Sequence, residues 1–216
     1  VKERLADKRA RAQKLIERLD AAMPEAKIEL DFTTPLELLV AVVLSAQTTD
    51  KRVNLVTPKL FQDFPSAQAY ARASPTDLEP YLKTVGLFRN KSKALVKLGQ
   101  ALVERHQGVV PAARAALAAL PGVGNKTAGV VTIHLKGGDL AFPVDTHILR
   151  LSKRMGLTHH DEPDDVEAAL SALLPSDVWF KAHQLIIWHG RRVCLARSPA
   201  CHRCVVADLC PKRGVK

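Results

Sequence analysis

All four cysteines of the 216-residue chain lie near its C-terminal end, as Cys194-x6-Cys201-x2-Cys204-x5-Cys210. Thiols this crowded, in a chain whose start carries no export signal, point to a metal site rather than to disulfides. A four-cysteine zinc site usually brings two close pairs, and here only Cys201 and Cys204 are two residues apart. Iron–sulfur clusters take four thiolates at looser spacing. Spacing favours a cluster and leaves zinc open. His189 and His202 are near in sequence, but four thiolates complete either site without them.

A second constellation runs from Leu120 to Ala128, Leu-Pro-Gly-Val-Gly-Asn-Lys-Thr-Ala. Proline followed by Gly122 and Gly124 predicts a tight turn with positive-φ backbone at the glycines. A helix starting near Asn125 then presents free backbone N–H groups beside residues with no side chain, a geometry suited to a phosphate oxygen. An ordinary helix–turn–helix corner is the plain alternative. Lys126 falls in the first turn, where the positive end of the helix dipole disfavours an ammonium. Partial desolvation would act the same way, leaving an amine able to act as a nucleophile. A plain phosphate-binding lysine is the competing reading, and the residues alone leave the two open.

Val144-Asp145-Thr146-His147-Ile148-Leu149-Arg150 opens another helix. Asp145 is a natural N-cap, which by itself explains its presence. Its functional reading places the carboxylate across a cleft from Lys126, where it stabilises a positively charged sugar or handles protons. His147 and Arg150 read as packing and surface residues that could reach a nucleic-acid backbone beside such a cleft.

The elements that must position these groups read as helices throughout. Leu5, Leu15, Ile16 and Leu19 line one face of a first helix ending before Pro24. Thr34-Pro35-Leu36-Glu37 is a capping box with proline at the first helical position, and the apolar run to Leu44 predicts a buried helix. Ser74-Pro75-Thr76-Asp77 repeats the pattern. A Lys/His-rich helix is predicted over 91–106 and a short alanine-rich one from Pro111 to near Leu120. Strand signals are nearly absent, so the predicted fold class is all-α with short connections.

Thirty-two Lys and Arg against 22 Asp and Glu give a formal charge of +10, which attracts polyanions. The excess is concentrated at the end, where Arg191, Arg192, Arg197, Arg203, Lys212, Arg213 and Lys216 face the single acid Asp208. The basic N-terminal segment interleaves Glu3, Asp7 and Glu17 at helical spacing and reads as a solvated helix face. Neither region has the apolar face of a membrane-surface helix, so nucleic acid is the expected partner. No membrane span or signal peptide is visible, and a cytoplasmic, nucleoid-associated protein is expected.

These motifs in this order, with Leu44-Ser45-Ala46-Gln47-Thr48-Thr49-Asp50 and Val85-Gly86-Leu87-Phe88, resemble the bacterial endonuclease III family over essentially the whole chain. That family belongs to the helix-hairpin-helix DNA glycosylase/AP lyase superfamily. The resemblance implies a two-lobed fold, with a six-helix barrel domain over 28–138 and an iron–sulfur cluster domain made of 1–27 and 139–216. It implies that Lys126 and Asp145 are the catalytic pair and that Cys194, Cys201, Cys204 and Cys210 hold a 4Fe–4S cluster. Gln47 then fills the space left by an extruded base, Leu87 wedges the opposite strand, and Gly122, Gly124, His147, Arg150 and Arg197 contact DNA. Ser198 and Ala200 stand where better-known members carry further basic residues.

The activity so implied is a bifunctional glycosylase/AP lyase of base excision repair. It would excise oxidised pyrimidines through a lysine Schiff base, cut the strand by β-elimination, and act as a monomer on double-stranded DNA with damaged pyrimidines or abasic sites. An adenine glycosylase or a monofunctional mismatch glycosylase of the same superfamily would lack the lysine. A non-enzymatic helix-hairpin-helix module would need neither Asp145 nor the Gln47 segment, and a zinc protein would be colourless.

Overall fold

Helices make up the regular secondary structure of the residues described, 3–135, 137–139 and 141–215 of a computed structural model, with no strand among them. None of these helices is long and apolar enough to cross a membrane. The chain divides into two units, Glu29–Asp139, and Val1–Ile28 together with Leu140–Lys216. In chain order the helices are α1 (Leu5–Ala22), α2 (Pro35–Ser45), α3 (Asp50–Asp63), α4 (Ala67–Arg72), α5 (Pro75–Leu82), α6 (Phe88–His106), α7 (Arg114–Ala118), α8 (Asn125–Thr132), α9 (Thr146–Arg154), α10 (Pro163–Leu173) and α11 (Trp179–Arg192).

The contiguous unit holds α2 to α8. Thr34 and Glu37 form the expected capping box, the Thr34 hydroxyl accepting from the Glu37 N–H and the Glu37 carboxylate accepting from the Thr34 N–H. The helix it starts buries every residue from Leu38 to Leu44, as an uninterrupted apolar run requires. α2 packs on α3, α6 and α8, and α6 packs on α4 and α5. Two boundaries differ from expectation. α6 begins at Phe88, because Leu87 already supplies its first accepting carbonyl to the Lys91 N–H. α7 begins at Arg114 rather than Pro111, because its start is capped from a distance, the Asp139 carboxylate accepting from the Arg114 N–H at 2.7 Å.

The discontinuous unit gathers α1, α9, α10 and α11 around Leu15, Leu19, Ile148, Leu151, Leu170 and Leu185, all fully buried. Trp188 donates its indole N–H to the Lys27 carbonyl at 2.6 Å, tying α11 to the segment after α1. The N-terminal cations are not simply solvated. Arg11 is half-buried and donates to the carbonyls of Met155, Gly156 and Leu209, while Arg18 pairs with Asp208 at 2.6 Å. Alternation of charge along α1 hides this, because the partners lie at the other end of the chain. Lys216 of the basic tail lies outside the described residues.

Candidate active site and metal centre

Within the contiguous unit, the turn before α8 takes its shape from two glycines with different roles. Gly122 adopts φ +79°, the left-handed conformation that favours glycine. Gly124 does not: its φ of −94° is open to any residue. A side chain there would meet nothing within 4 Å, so what this glycine contributes is clear space. The expectation of positive φ at both glycines is corrected to Gly122 alone. Gly124 is the N-cap of α8 and makes no side-chain bond to its first amides. Lys126 is the second residue of that helix and is exposed. The protein by itself does not bury Lys126, so any desolvation must come from what binds there.

Three exposed residues of the same unit hold left-handed backbone that their residue types disfavour: Gln107, which ends α6, and Gln47 and Leu87, which lie on adjoining loops. Ser45 to Thr48 has the pattern of a type II turn, with Ala46 at φ −57°, ψ 119° and a Thr48 N–H to Ser45 carbonyl bond of 3.1 Å. Gln47 stands at the third position with φ 56°, where such turns call for glycine. Leu87 is the N-cap of α6 in left-handed conformation (φ 58°, ψ 34°), without the polar side chain that caps prefer, and is 55% exposed. A β-carbon on Gly86 would lie 3.4 Å from the Gln47 carbonyl oxygen, so the two loops run against each other. Lys91, which the sequence reading passes over, is only 6% exposed and donates to the carbonyls of Leu44 and Ala46 and to the Thr48 hydroxyl.

In the discontinuous unit Asp145 caps α9, its Oδ1 accepting from the Ile148 N–H at 2.8 Å and the residue remaining half-exposed. The Arg150 guanidinium turns toward the protein. Its Nη2 donates to the Gly190 and Cys194 carbonyls and lies 3.2 Å from His147 Nδ1. Backbone contacts within the protein thus occupy the group expected to reach DNA. Gly190 permits this, since a β-carbon there would come within 2.9 Å of the His147 ring and 3.1 Å of Arg150.

The four cysteines line one cavity. Among the described residues no three His, Cys, Asp or Glu side chains converge as they would on one metal ion. Four thiols spread around a shared cavity fit a group larger than a single ion. N–H groups point at two of the sulfurs, Arg154 Nη1 at 3.4 Å from Cys194 Sγ and the Lys212 amide at 3.4 Å from Cys210 Sγ, and His189 Nε2 lies 3.4 Å from Cys204 Sγ. Such contacts stabilise thiolate ligands. Burial pushes the thiols of Cys204 and Cys210 up, so it is the bound group's positive charge that would hold them ionised. Burial also pushes the His189 imidazole down to about 4.

The loop from Cys194 to Cys201 is closed by an Ala200 N–H to Val193 carbonyl bond of 3.0 Å, and Arg154 donates to the carbonyls of Leu195 and Ala196. Arg197 is exposed on this loop, followed by Ser198 at φ 51°. Arg154 and His189 are functional candidates that spacing alone does not reveal.

Comparison with known proteins agrees with this geometry. A model described as the HhH-GPD superfamily of base excision DNA repair proteins matches residues 40–176, and one described as the iron-sulfur binding domain of endonuclease III matches 194–210. The chain is 44% identical over 208 residues to endonuclease III of Synechocystis sp., covering 96% of this chain and 95% of that one. It is 39% identical to endonuclease III of Escherichia coli, covering 94% and 95%. A solved structure of a trapped endonuclease III–DNA covalent intermediate is similar with a TM-score of 0.88 at 38% identity, over 94% of this chain and 96% of that one. A thermostable thymine-DNA glycosylase shares the fold at TM-score 0.83 and 20% identity.

Proposed function

Because the chain belongs to the endonuclease III family of base excision repair enzymes, DNA glycosylases with AP lyase activity that carry a 4Fe–4S cluster, we propose that Lys126 is its nucleophile on oxidised pyrimidines in duplex DNA. The observation carrying this reading is the exposed lysine in the first turn of α8, beside uncapped amides and a glycine with no neighbour.

The target base lies inside the duplex and must be rotated out, at a cost of a few kcal/mol in lost stacking. Damaged bases stack and pair poorly, which favours them as substrates. Gln47 and Leu87, exposed on adjoining loops, fill the vacated space and wedge the opposite strand. The turn at Gly122 and the α8 amides hold a phosphate oxygen. The Lys126 amine forms a bond to the sugar C1′ as the C1′–base bond breaks, the base leaving with the electron pair and taking up a proton. Asp145 stabilises the positive charge that develops on the sugar. Opening of the sugar ring and loss of the amine proton leave an imine. Removal of a C2′ proton then expels the 3′ phosphate, and water releases the lysine.

Cys194, Cys201, Cys204 and Cys210 would hold the cluster, which orders their segment and keeps Arg197 in place against phosphate; it supplies no step of the reaction above. The enzyme acts as a monomer on this reading.

The test is borohydride trapping on a duplex with one thymine glycol. A covalent complex that disappears in Lys126→Ala supports the reading, while no complex from cluster-loaded protein on a panel of oxidised pyrimidines refutes it.

A further inference from the structure

Lys91 is the one buried lysine among the described residues, and burial holds its ammonium below the ordinary lysine range. An ammonium has three donors, and here three acceptors meet it: Leu44 O at 2.9 Å, Ala46 O at 2.6 Å and Thr48 Oγ1 at 3.1 Å. The first two are the carbonyls that α2 leaves open at its C-terminal end, where the helix dipole favours a cation. Simple capping does not require this arrangement. A glycine at position 47 would make the same turn without left-handed strain on a side-chain-bearing residue.

The placement of the three bonds is what matters. Two fall on Ala46 and Thr48, immediately before and after Gln47, and the third on Leu44 in the last turn of α2, so together they hold the turn in which Gln47 stands at φ 56°. Left-handed backbone is unfavourable for a non-glycine residue, and such strain persists only where the surroundings over-determine it. At its other end Lys91 belongs to the first turn of α6, and its N–H bonds the carbonyl of Leu87, the second strained residue. One side chain and its own amide therefore join both strained loops. In the same turn the Ser92 hydroxyl donates to the Phe88 carbonyl at 2.9 Å.

We propose that Lys91 is a positioning residue for base extrusion, fixing Gln47 and Leu87 at the spacing needed to occupy the duplex once the base has left. The inference rests on the reading of Gln47 and Leu87 given above.

The test compares wild type with Lys91→Met, which keeps the length of the side chain and removes its donors. Two duplexes are used, one carrying thymine glycol with 2-aminopurine in the opposite strand beside the lesion, the other an abasic site. In wild type, insertion into the duplex raises 2-aminopurine fluorescence. Lys91→Met is expected to lose that rise and at least tenfold in thymine glycol excision, while borohydride trapping at the abasic site falls less than threefold. A wild-type fluorescence rise and excision in the variant overturn the proposal, as does an equal loss on both duplexes. No fluorescence rise in wild type removes the insertion step and the proposal with it. No trapping in wild type instead refutes the role of Lys126. Should Lys91→Met fail to fold, Thr48→Val removes one of the three acceptors, and a smaller loss of the same selectivity is expected; no selectivity overturns the inference.

Discussion

The Arg11 guanidinium donates to the carbonyl of Leu209, the residue before Cys210, at 3.2 Å. The same group donates to Met155 at 2.7 Å and Gly156 at 3.2 Å, and pairs with Glu3. α1 is thereby fastened to the segment that carries the last cluster ligand. Arg11→Met keeps the apolar stem and removes every donor, leaving half-buried carbonyls without partners. The expected loss is about 1–3 kcal/mol, together with faster bleaching of the cluster's visible absorbance on warming. Arg4→Met, which breaks only an exposed pair with Asp7, is the control and should bleach like wild type. Equal bleaching in both would mean that the cysteine segment holds itself.

On the proposed reading Asp145 has a catalytic duty besides its cap, and substitutions can separate the two. Asparagine caps a helix as well as aspartate does, so Asp145→Asn should preserve thermal stability while base excision falls by about 100-fold or more. Asp145→Ala also loses the bond to the Ile148 N–H and should cost about 1 kcal/mol on top. Paired melting curves and single-turnover rates decide the matter; full excision by the asparagine variant would reduce Asp145 to a cap.

Gln47→Gly relieves the left-handed turn, and the melting temperature should stay level or rise, by up to about 1 kcal/mol of stability. On the proposed reading excision from duplex DNA should nevertheless fall, because the group assigned to the vacated space is gone. A stability loss would show that the Gln47 side chain supports the fold.

His134 gives a pH dependence with a definite sign. Burial pushes its imidazole below the ordinary histidine range, with the Val130 carbonyl, accepting from Nδ1 at 2.7 Å, opposing part of that shift. The unfolded chain therefore binds the proton more readily. The stability linked to His134 is fully present above about pH 6.5 and is lost as pH falls through the lower, folded value. Urea midpoints measured at neutral and mildly acid pH should converge less steeply in His134→Gln than in wild type. Identical slopes would exclude His134 as the group responsible.

What could be read from the sequence is what short-range chemistry decides. The boxes at Thr34–Glu37 and Ser74–Asp77 and the cap at Asp145 each close within a few residues, so residue type and spacing are enough. The glycine at 122 was legible because a turn demanded it. Gly124 carries no such local demand, and its reason lies in the space around it. Lys91 was missed because its acceptors come 43 to 47 residues earlier. Arg154 was missed for the same reason, since its bonds to Cys194, Leu195 and Ala196 span 40 residues and more. A lysine or arginine in a helical pattern looks like surface until the fold brings carbonyls to it.

The split of one unit between the two ends of the chain bears on how the enzyme is made. Glu29–Asp139 is contiguous and can close while the ribosome is still at work, since domains fold as units during synthesis. α1 precedes that unit in the chain, yet Leu15 and Leu19 find their partners on α9, α10 and α11, which follow it. Lys126 is thus translated before Asp145 and the four cysteines exist. On the proposed reading, vectorial synthesis in this way holds back strand cutting until the cysteine segment has been decoded.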